Sequence, residues 1–412
     1  MAGFLRREGK LTCDGVSLAE IAASVGTPVY VYSRALIEQN YRRFDAAFSS
    51  VPNLVCYAAK ANSNLAILRC LAALGAGADV VSGGELRAAI AAGFPADRIV
   101  FSGVGKTEAE IAAGVSAGLL AINAESEREL DKISAAAVLA RTTARIALRV
   151  NPDIDAGTHP YISTGLAHNK FGIDIARARE VCEKARSLPG LLVTGVQAHI
   201  GSQISDAAVL AKTARDLARL ARVLLEAGFP IATLDVGGGV GIAAGPEPGL
   251  SPEAYAAAVL PEVAGLPLEI LTEPGRAIIG AAGALVTRVL DVKENGGKTF
   301  VVTDAGMNDL IRPALYDAFH AIEAVAPRGD VCVADVVGPV CESSDFFARD
   351  RKMDRPLEDD LLAVRDTGAY GFAMSSNYNF RPRAAEVLVE AGTFRVIRRR
   401  ETWEGLTALE RV

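Results

Sequence analysis

The chain has 412 residues, of which 50% are hydrophobic and 22% are charged, and this composition excludes an intrinsically disordered protein. Its formal net charge is -6 and no long run of like charges occurs, which argues against a basic surface for nucleic acid or for an anionic membrane. The length fits one α/β barrel of roughly 250 residues and one smaller domain.

The first residues, the apolar stretches and the cysteines indicate in which cellular compartment the protein acts. The first residues have no apolar segment typical of a secretory signal, and no stretch reaches the ~20 apolar residues of a membrane-spanning helix. The six cysteines form no CxxC pair and have no metal-ligand spacing with the four histidines. We therefore expect reduced thiols, no metal site, and a soluble, cytoplasmic protein that acts on a small molecule.

The first elements are a strand-like segment at 28–32 and a helix at about 33–48. Short β-branched runs then alternate with longer segments of helical period, such as 85–92, 126–139 and 206–227. Eight strands are predicted, at 54–59, 78–81, 98–101, 119–122, 145–150, 193–199, 233–236 and 268–272. Eight parallel strands with intervening helices predict a closed (β/α)8 TIM barrel.

After residue 276 the chain has strand-like runs at 284–292, 299–303 and 331–337, separated by Gly, Pro and Asn. These runs predict a mostly β second domain. The pattern alone does not decide whether residues 1–29 join it. We assign 30–280 to the barrel and 1–29 with 281–412 to the β-rich domain.

Chemistry in such a barrel lies where strands end, and Lys60 directly follows the first strand. Desolvation at this place favours the neutral amine, which can form a Schiff base with an aldehyde, although an exposed loop lysine is the commoner case. His199 ends the sixth strand, where it could stack on a planar ring, act as a base or serve only structurally.

The glycines 237–239 follow the seventh strand, the region of the barrel where phosphate sites recur, and Ser202 adds a hydroxyl nearby. Glu273 and Arg276 follow the eighth strand and form either a surface ion pair or part of a site. A carboxylate at a pyridine nitrogen would keep that nitrogen protonated. Together these residues describe a pyridoxal phosphate site.

The segments VCYAAKAN, VVSGGEL, HIGSQ, LDVGGGVG and TEPGR resemble those of the alanine racemase-like and ornithine decarboxylase-like pyridoxal enzymes. Within that group, NPDIDAGTHPYISTGLAHNKFGI, DAGMNDLIRPALYDAFH, GPVCESSDF and GAYGFAMSSNYNFRPRAAEVLV are most similar to the diaminopimelate decarboxylases in order and spacing. The resemblance extends over nearly the whole chain.

The resemblance implies pyridoxal 5'-phosphate as cofactor, bound by Lys60, His199, Ser202, Gly237, Gly238, Gly239, Glu273, Gly275, Arg276 and Tyr370. It implies a substrate site of Arg276, Arg312, Tyr316, Glu342 and Tyr370. It assigns catalysis to Lys60, His199 and Cys341, with Cys341 as the acid that protonates Cα. It also implies a homodimer in which the Cys341 loop enters the partner's site.

The expected reaction is decarboxylation of meso-2,6-diaminopimelate to L-lysine, the last step of lysine biosynthesis. Recognition of the remote amino acid end needs cations for its carboxylate and an anion for its amine, which Arg276, Arg312 and Glu342 would supply. Arg276 could instead bind the cofactor. The segment 155–171 is either a lid or a plain surface loop.

Three alternatives remain. An alanine racemase-like isomerase would, as the resemblance implies, carry an arginine in place of Glu273. Decarboxylation of ornithine, arginine or lysine would leave two arginines near the substrate unexplained. A non-catalytic binding homologue would have no use for Lys60, Glu273 and Cys341 together.

Overall fold

The computed structural model describes residues 2–155, 164–165, 169–245 and 247–410. Its strands are β1 (Phe4–Arg7), β2 (Lys10–Cys13), β3 (Val16–Ser17), β4 (Val29–Ser33), β5 (Asn53–Ala58), β6 (Gly77–Val80), β7 (Ile99–Phe101), β8 (Ala121–Ala124), β9 (Ala144–Asn151), β10 (Ile173–Asp174), β11 (Leu191–Gln197), β12 (Thr233–Asp235), β13 (Glu269–Thr272), β14 (Gly283–Asn295), β15 (Lys298–Thr303), β16 (Ile322–Ala324), β17 (Val331–Val337), β18 (Phe346–Asp354), β19 (Leu361–Val364), β20 (Ala385–Glu390) and β21 (Thr393–Arg398).

The α-helices are α1 (Leu18–Val25), α2 (Arg34–Phe48), α3 (Leu65–Ala73), α4 (Gly83–Ala92), α5 (Glu108–Ala117), α6 (Glu127–Leu139), α7 (Ala178–Ser187), α8 (Ala207–Glu226), α9 (Pro252–Val263), α10 (Arg276–Ile279), α11 (Arg312–Tyr316) and α12 (Trp403–Thr407). Among the residues that the structure describes, no helix has the length and apolar character needed to cross a membrane.

Eight parallel strands form a closed barrel. Their order is β5-β6-β7-β8-β9-β11-β12-β13, and β13 pairs with β5 to complete the ring. The predicted (β/α)8 barrel is confirmed, and each predicted strand overlaps one of these eight. Closure leaves the barrel strands no unpaired edge, and the carboxyl ends of all eight lie at one rim.

Local sequence explains where the barrel helices begin and end. Helix α4 starts after Ser82, whose hydroxyl accepts the Glu85 N–H, and ends before Gly93 in a left-handed conformation. Helix α5 begins with a reciprocal capping box between Thr107 and Glu110. Such caps satisfy backbone groups that a helix leaves unpaired, so they fix where these two helices begin and where α4 ends.

The chain divides into two compact units. The barrel unit comprises Asn40–Ile242 and Pro248–Ala277, and the β-rich unit comprises Met1–Gln39, Ala243–Glu247 and Ile278–Val412. The predicted boundary at residue 30 is displaced, because β4 pairs with β14 and β20 in the β-rich sheet. Its alternate side chains, Val29 and Val31, are fully buried in the core of that unit.

The β-rich unit is built around β14. This long strand pairs with β4, β15 and β19, so it links most of one nine-stranded sheet. The amino-terminal hairpin contributes Leu11 and Cys13 to the same core, beside Ala284 and Val387. Strand β17 pairs with β15 and with β18, so both ends of the loop between β17 and β18 are held in this sheet.

Candidate active site

Lys60 lies in a short turn after β5, with 30% of its side chain exposed. Its Nζ is 3.0 Å from Oδ2 of Asp79, a fully buried residue of the neighbouring strand β6. An amine held at the end of a buried strand by a buried carboxylate is fixed in position. The predicted reactive lysine therefore has a charged partner that was not predicted.

Glu273 follows β13 and is buried in a cluster of carboxylates. Its Oε1 and Oε2 lie 3.3 and 3.2 Å from Nε2 of Gln197, on β11. Burial, reinforced by Asp235 and Asp79, raises the pKa of Glu273 well above its usual value. Burial also raises the pKa of Asp235 to about 6. A ligand that brings a cationic N–H group to this rim would favour the ionised form of these carboxyls.

His199 stands two residues beyond the end of β11. Its Nδ1 accepts the N–H of Gly238 at 3.2 Å. Burial, with Lys60 and Arg149 nearby, holds the pKa of His199 well below its usual value. The imidazole is therefore neutral at neutral pH, and its planar ring suits stacking on another ring.

The glycines 237–239 have a packing role that the sequence did not reveal. A Cβ on Gly238 would lie 2.0 Å from the carbonyl oxygen of Glu273, and one on Gly239 would lie 2.3 Å from that of Gly201. The N–H of Gly237 donates to Asp235 at 2.9 Å, and that of Gly238 donates to His199. These glycines let strand ends approach closely, and their contact with a phosphate stays a prediction.

Ser202 and Arg276 meet at this rim. Nη2 of Arg276 donates to the Ser202 hydroxyl at 3.1 Å, and Arg276 is largely buried at the start of α10. At Gly275, a Cβ would lie 2.9 Å from that of Ala61, so only glycine allows the turn to approach the residue after Lys60. A cation and a hydroxyl side by side form a donor set suited to phosphate or carboxylate.

Three predicted substrate-binding residues meet within the β-rich unit. The guanidinium carbon of Arg312 lies 5.5 Å from the ring centre of Tyr316 and 5.9 Å from that of Tyr370. Arg312 is largely buried at the start of α11. The aromatic rings hold the cation by cation–π contacts, and a planar guanidinium matches the geometry of a carboxylate.

Cys341 and Glu342 lie in the loop between β17 and β18. Cys341 is exposed whereas the other five cysteines are buried. Its N–H donates to Oδ1 of Asn379 at 2.7 Å, and the Tyr378 hydroxyl donates to Oε2 of Glu342 at 3.1 Å. The predicted site residues thus form two groups, one in each unit. The predicted lid at 155–171 falls largely outside the described residues.

Comparison with known proteins identifies the family. A family model described as pyridoxal-dependent decarboxylase, pyridoxal binding domain, matches residues 34–280. The diaminopimelate decarboxylase of Pseudomonas fluorescens is 49% identical over 414 aligned residues, covering 100% of this chain and 99% of that protein. That of Aquifex aeolicus is 47% identical, covering 97% and 95%. The chain belongs to the diaminopimelate decarboxylase family.

A solved structure of this family agrees with the fold. Diaminopimelate decarboxylase from M. jannaschii in co-complex with L-lysine has a TM-score of 0.95 and 39% identity, covering 100% of this chain and 99% of that one. Agreement over the whole length includes both the barrel and the β-rich unit. The predicted family and fold class are therefore confirmed.

Sequence reasoning missed four buried polar residues of the barrel rim. Each interrupts or ends an apolar strand, which is the signal that could have found them. They are Asp79, Gln197, Asp235 and Arg149, whose Nη1 lies 2.9 Å from Glu125. Burial of a polar side chain is costly unless it is paired, so such residues usually support a site.

The rim residues fit the cofactor of this family. Oδ1 of Asp79 and Oε1 of Gln197 are buried acceptors without a hydrogen-bond partner among the described residues. A pyridoxal ring would bring a donor to this carboxylate cluster, the Lys60 amine could bond to its aldehyde, and Ser202 with Arg276 suits its phosphate. The polar groups at this rim therefore agree with the binding of pyridoxal 5'-phosphate.

Proposed function

We propose that this protein decarboxylates meso-2,6-diaminopimelate to L-lysine and carbon dioxide, the last step of lysine biosynthesis. The observation that carries the proposal is the Lys60 amine at the same barrel rim as the buried Glu273 carboxylate, in a chain 49% identical to a diaminopimelate decarboxylase over its whole length. L-Lysine bound to the M. jannaschii relative supports the product.

Pyridoxal 5'-phosphate, when bound, accepts the electron pair that the departing carboxylate leaves at Cα. Lys60 would hold the cofactor covalently between turnovers, and Asp79 keeps its amine in place. Glu273 would hold a proton at the ring nitrogen, because a cationic N–H donor is the partner that favours the ionised form of a buried carboxyl. Neutral His199 would pack against the ring, and Ser202 would bind the phosphate.

The β-rich unit supplies the recognition of the remote end of the substrate. Arg312, flanked by Tyr316 and Tyr370, binds the distal carboxylate. Glu342 binds the distal amine, and Cys341 delivers the proton that Cα takes up after carbon dioxide leaves. A site that binds both the distal carboxylate and the distal amine excludes ornithine and arginine as substrates, because they lack the distal carboxylate. The hydrogen bond from Arg276 to Ser202 supports a cofactor role for this arginine.

We further propose a cytoplasmic homodimer with shared sites, in which the Cys341 loop completes the site of the partner. Cys341 is exposed and lies near exposed aromatic residues: Tyr378, Phe380 and Trp403 are 44%, 50% and 59% exposed. Exposed aromatic clusters are typical of protein interfaces. Six free cysteines support a reducing compartment.

Product analysis tests the function. The purified protein, loaded with pyridoxal 5'-phosphate, is given stereochemically pure meso-diaminopimelate, and lysine and carbon dioxide are quantified. We expect equal amounts of the two products, little product from ornithine or arginine, and none with Lys60→Ala. Carbon dioxide released faster from ornithine or arginine, or racemisation of alanine without decarboxylation, would contradict the proposal.

A further inference from the structure

Four consecutive residues, 377–380, form what we call the clamp segment. Two of its members contact two adjacent residues of the loop between β17 and β18. The Tyr378 hydroxyl donates to Glu342, and Oδ1 of Asn379 accepts the N–H of Cys341. The clamp segment therefore fixes the Glu342 side chain and the Cys341 backbone at once.

The clamp segment is itself anchored at both ends. Nδ2 of Asn377 donates to Glu401 at 2.6 Å, and the Phe380 ring stacks on Trp403 of α12 with centres 6.3 Å apart. Asn379 has φ of 53°, in the left-handed region that asparagine tolerates better than most residues. These contacts hold the segment in one conformation.

The base of the Cys341 loop has a separate support. Asp345 accepts the N–H of Val340 through Oδ2 and that of Met307 through Oδ1, both at 2.6 Å. These bonds close the loop but do not reach the side chain of Glu342. Because the base is held independently, loss of a clamp contact should move the tip of the loop without unfolding it.

We propose that Tyr378 and Asn379 are positioning residues: Tyr378 aims the Glu342 carboxylate at the distal ammonium group of the substrate, and Asn379 fixes the backbone of Cys341. The inference rests on the proposed function, which assigns Glu342 and Cys341 to the substrate. Tyr378 would then contribute to specificity without touching the reacting atoms.

The hydrogen bond to Glu342 has an electrostatic consequence. That bond, together with the charge of Glu342, raises the pKa of the Tyr378 phenol above its usual value. The phenol therefore stays protonated, and stays a donor, at every pH at which the enzyme would be assayed. The Tyr378 hydroxyl can thus donate to Glu342 at every such pH.

A double-mutant cycle tests the Tyr378 contact. Tyr378→Phe removes only the hydroxyl and should lower kcat/KM for meso-diaminopimelate about tenfold, mainly through KM, because Glu342 loses a charge-assisted hydrogen bond. In a Glu342→Ala background the same change should alter kcat/KM by less than about twofold. Thr393→Val is the matched control, since it removes a hydroxyl bond from a remote hairpin of the same unit.

The outcomes separate the two hypotheses. Suppose that Glu342→Ala lowers kcat/KM, but that Tyr378→Phe either has no effect or causes a loss that adds to that of Glu342→Ala. Tyr378 then does not act through Glu342, and only the inference fails. If Glu342→Ala leaves kcat/KM for diaminopimelate unchanged, the role that the proposed function gives to Glu342 fails, and the positioning role of Tyr378 fails with it.

Thiol alkylation tests the Asn379 contact without reference to activity. Only Cys341 is exposed among the six cysteines, and a place in a substrate site that is open to small molecules would keep it accessible, so iodoacetamide reports on this residue in the folded enzyme. Asn379→Gly keeps the left-handed backbone and removes the acceptor, and should speed alkylation at least about threefold by freeing the loop tip. Ala391→Gly, at φ of 50° in the same unit, controls for backbone flexibility. Equal rates in the wild type and Asn379→Gly would overturn the role of Asn379.

Discussion

The ion pair of Lys60 and Asp79 combines a half-buried amine with a fully buried carboxylate. A buried charge is stable only when it is paired, so Asp79 needs Lys60 or another cation in the folded state. The same ion pair fixes the position of the Lys60 amine. Asp79 is thus a supporting residue of the site that sequence position alone would not single out.

Asp79→Asn should lower kcat by about 10-fold to 100-fold, because a small displacement of a reacting group costs this much. Borohydride reduction of the loaded enzyme followed by peptide mapping should still place the cofactor on Lys60, at lower yield. Asp97→Asn, at an exposed carboxylate, is the control. Wild-type kcat in Asp79→Asn would show that the ion pair does not serve the reaction.

Asp309 gives the stability a predictable pH dependence. Burial raises its pKa to about 7, although Oδ2 accepts the N–H of Gly306. A carboxyl with a pKa higher in the folded state binds its proton more tightly there. Its contribution to stability is therefore present at low pH and is lost as pH rises from about 4 to about 7.

Asp309→Asn should remove the loss of stability that the wild type shows as pH rises. The free energy of unfolding of the variant, relative to the wild type, should rise by about 2–3 kcal/mol between pH 5 and pH 8. Urea unfolding at the two pH values measures the difference, with Asp359→Asn, at an exposed side chain, as control. Parallel pH profiles for the wild type and Asp309→Asn would refute the assignment.

Among the structural elements, the glycine turn after β12 does more than was predicted from sequence. Its backbone packs against the strand ends that carry Glu273 and His199. A side chain at this point would push Glu273 out of the carboxylate cluster. The turn therefore couples the packing of the barrel rim to the geometry of the proposed cofactor site.

Gly238→Ala should destabilise the protein by roughly 1–3 kcal/mol even without cofactor, because the new Cβ would overlap the Glu273 carbonyl. Thermal unfolding of the cofactor-free protein measures this effect. Gly105→Ala is the matched control, since nothing lies within 4 Å of its Cβ position. An unchanged Tm combined with weaker cofactor retention would instead favour a role in phosphate binding alone.

At the scale of the whole molecule, the proposed function assigns roles to residues of both units. Lys60 belongs to the barrel unit and Cys341 to the β-rich unit. A two-fold dimer that exchanges the Cys341 loop would have two equivalent composite sites. Each site would then combine Lys60 of one chain with Cys341 of the other.

Mixing two inactive variants, Lys60→Ala and Cys341→Ala, tests this arrangement. In a mixed dimer one composite site carries both lesions and the other carries none. Random reassortment makes about half of the dimers mixed, so activity should return to about a quarter of the wild-type level. No recovery, with subunit exchange shown independently by differently tagged chains, would place Cys341 in the site of its own chain.

The sequence by itself determined the eight barrel strands, because buried parallel strands are continuous apolar runs separated by helices with clear periodicity. It also indicated Lys60, His199 and Glu273, since each lies at or directly after the end of a predicted strand. Family resemblance added Arg312 and Cys341, which no local pattern distinguishes from ordinary surface residues.

Only the tertiary structure decided which residues are partners. The pairing of Lys60 with Asp79, of Glu273 with Gln197, and of β4 with β14 joins positions distant along the chain. Hydrophobic periodicity reports the environment of a residue along one element, whereas a charge partner or a strand partner depends on how separate elements pack.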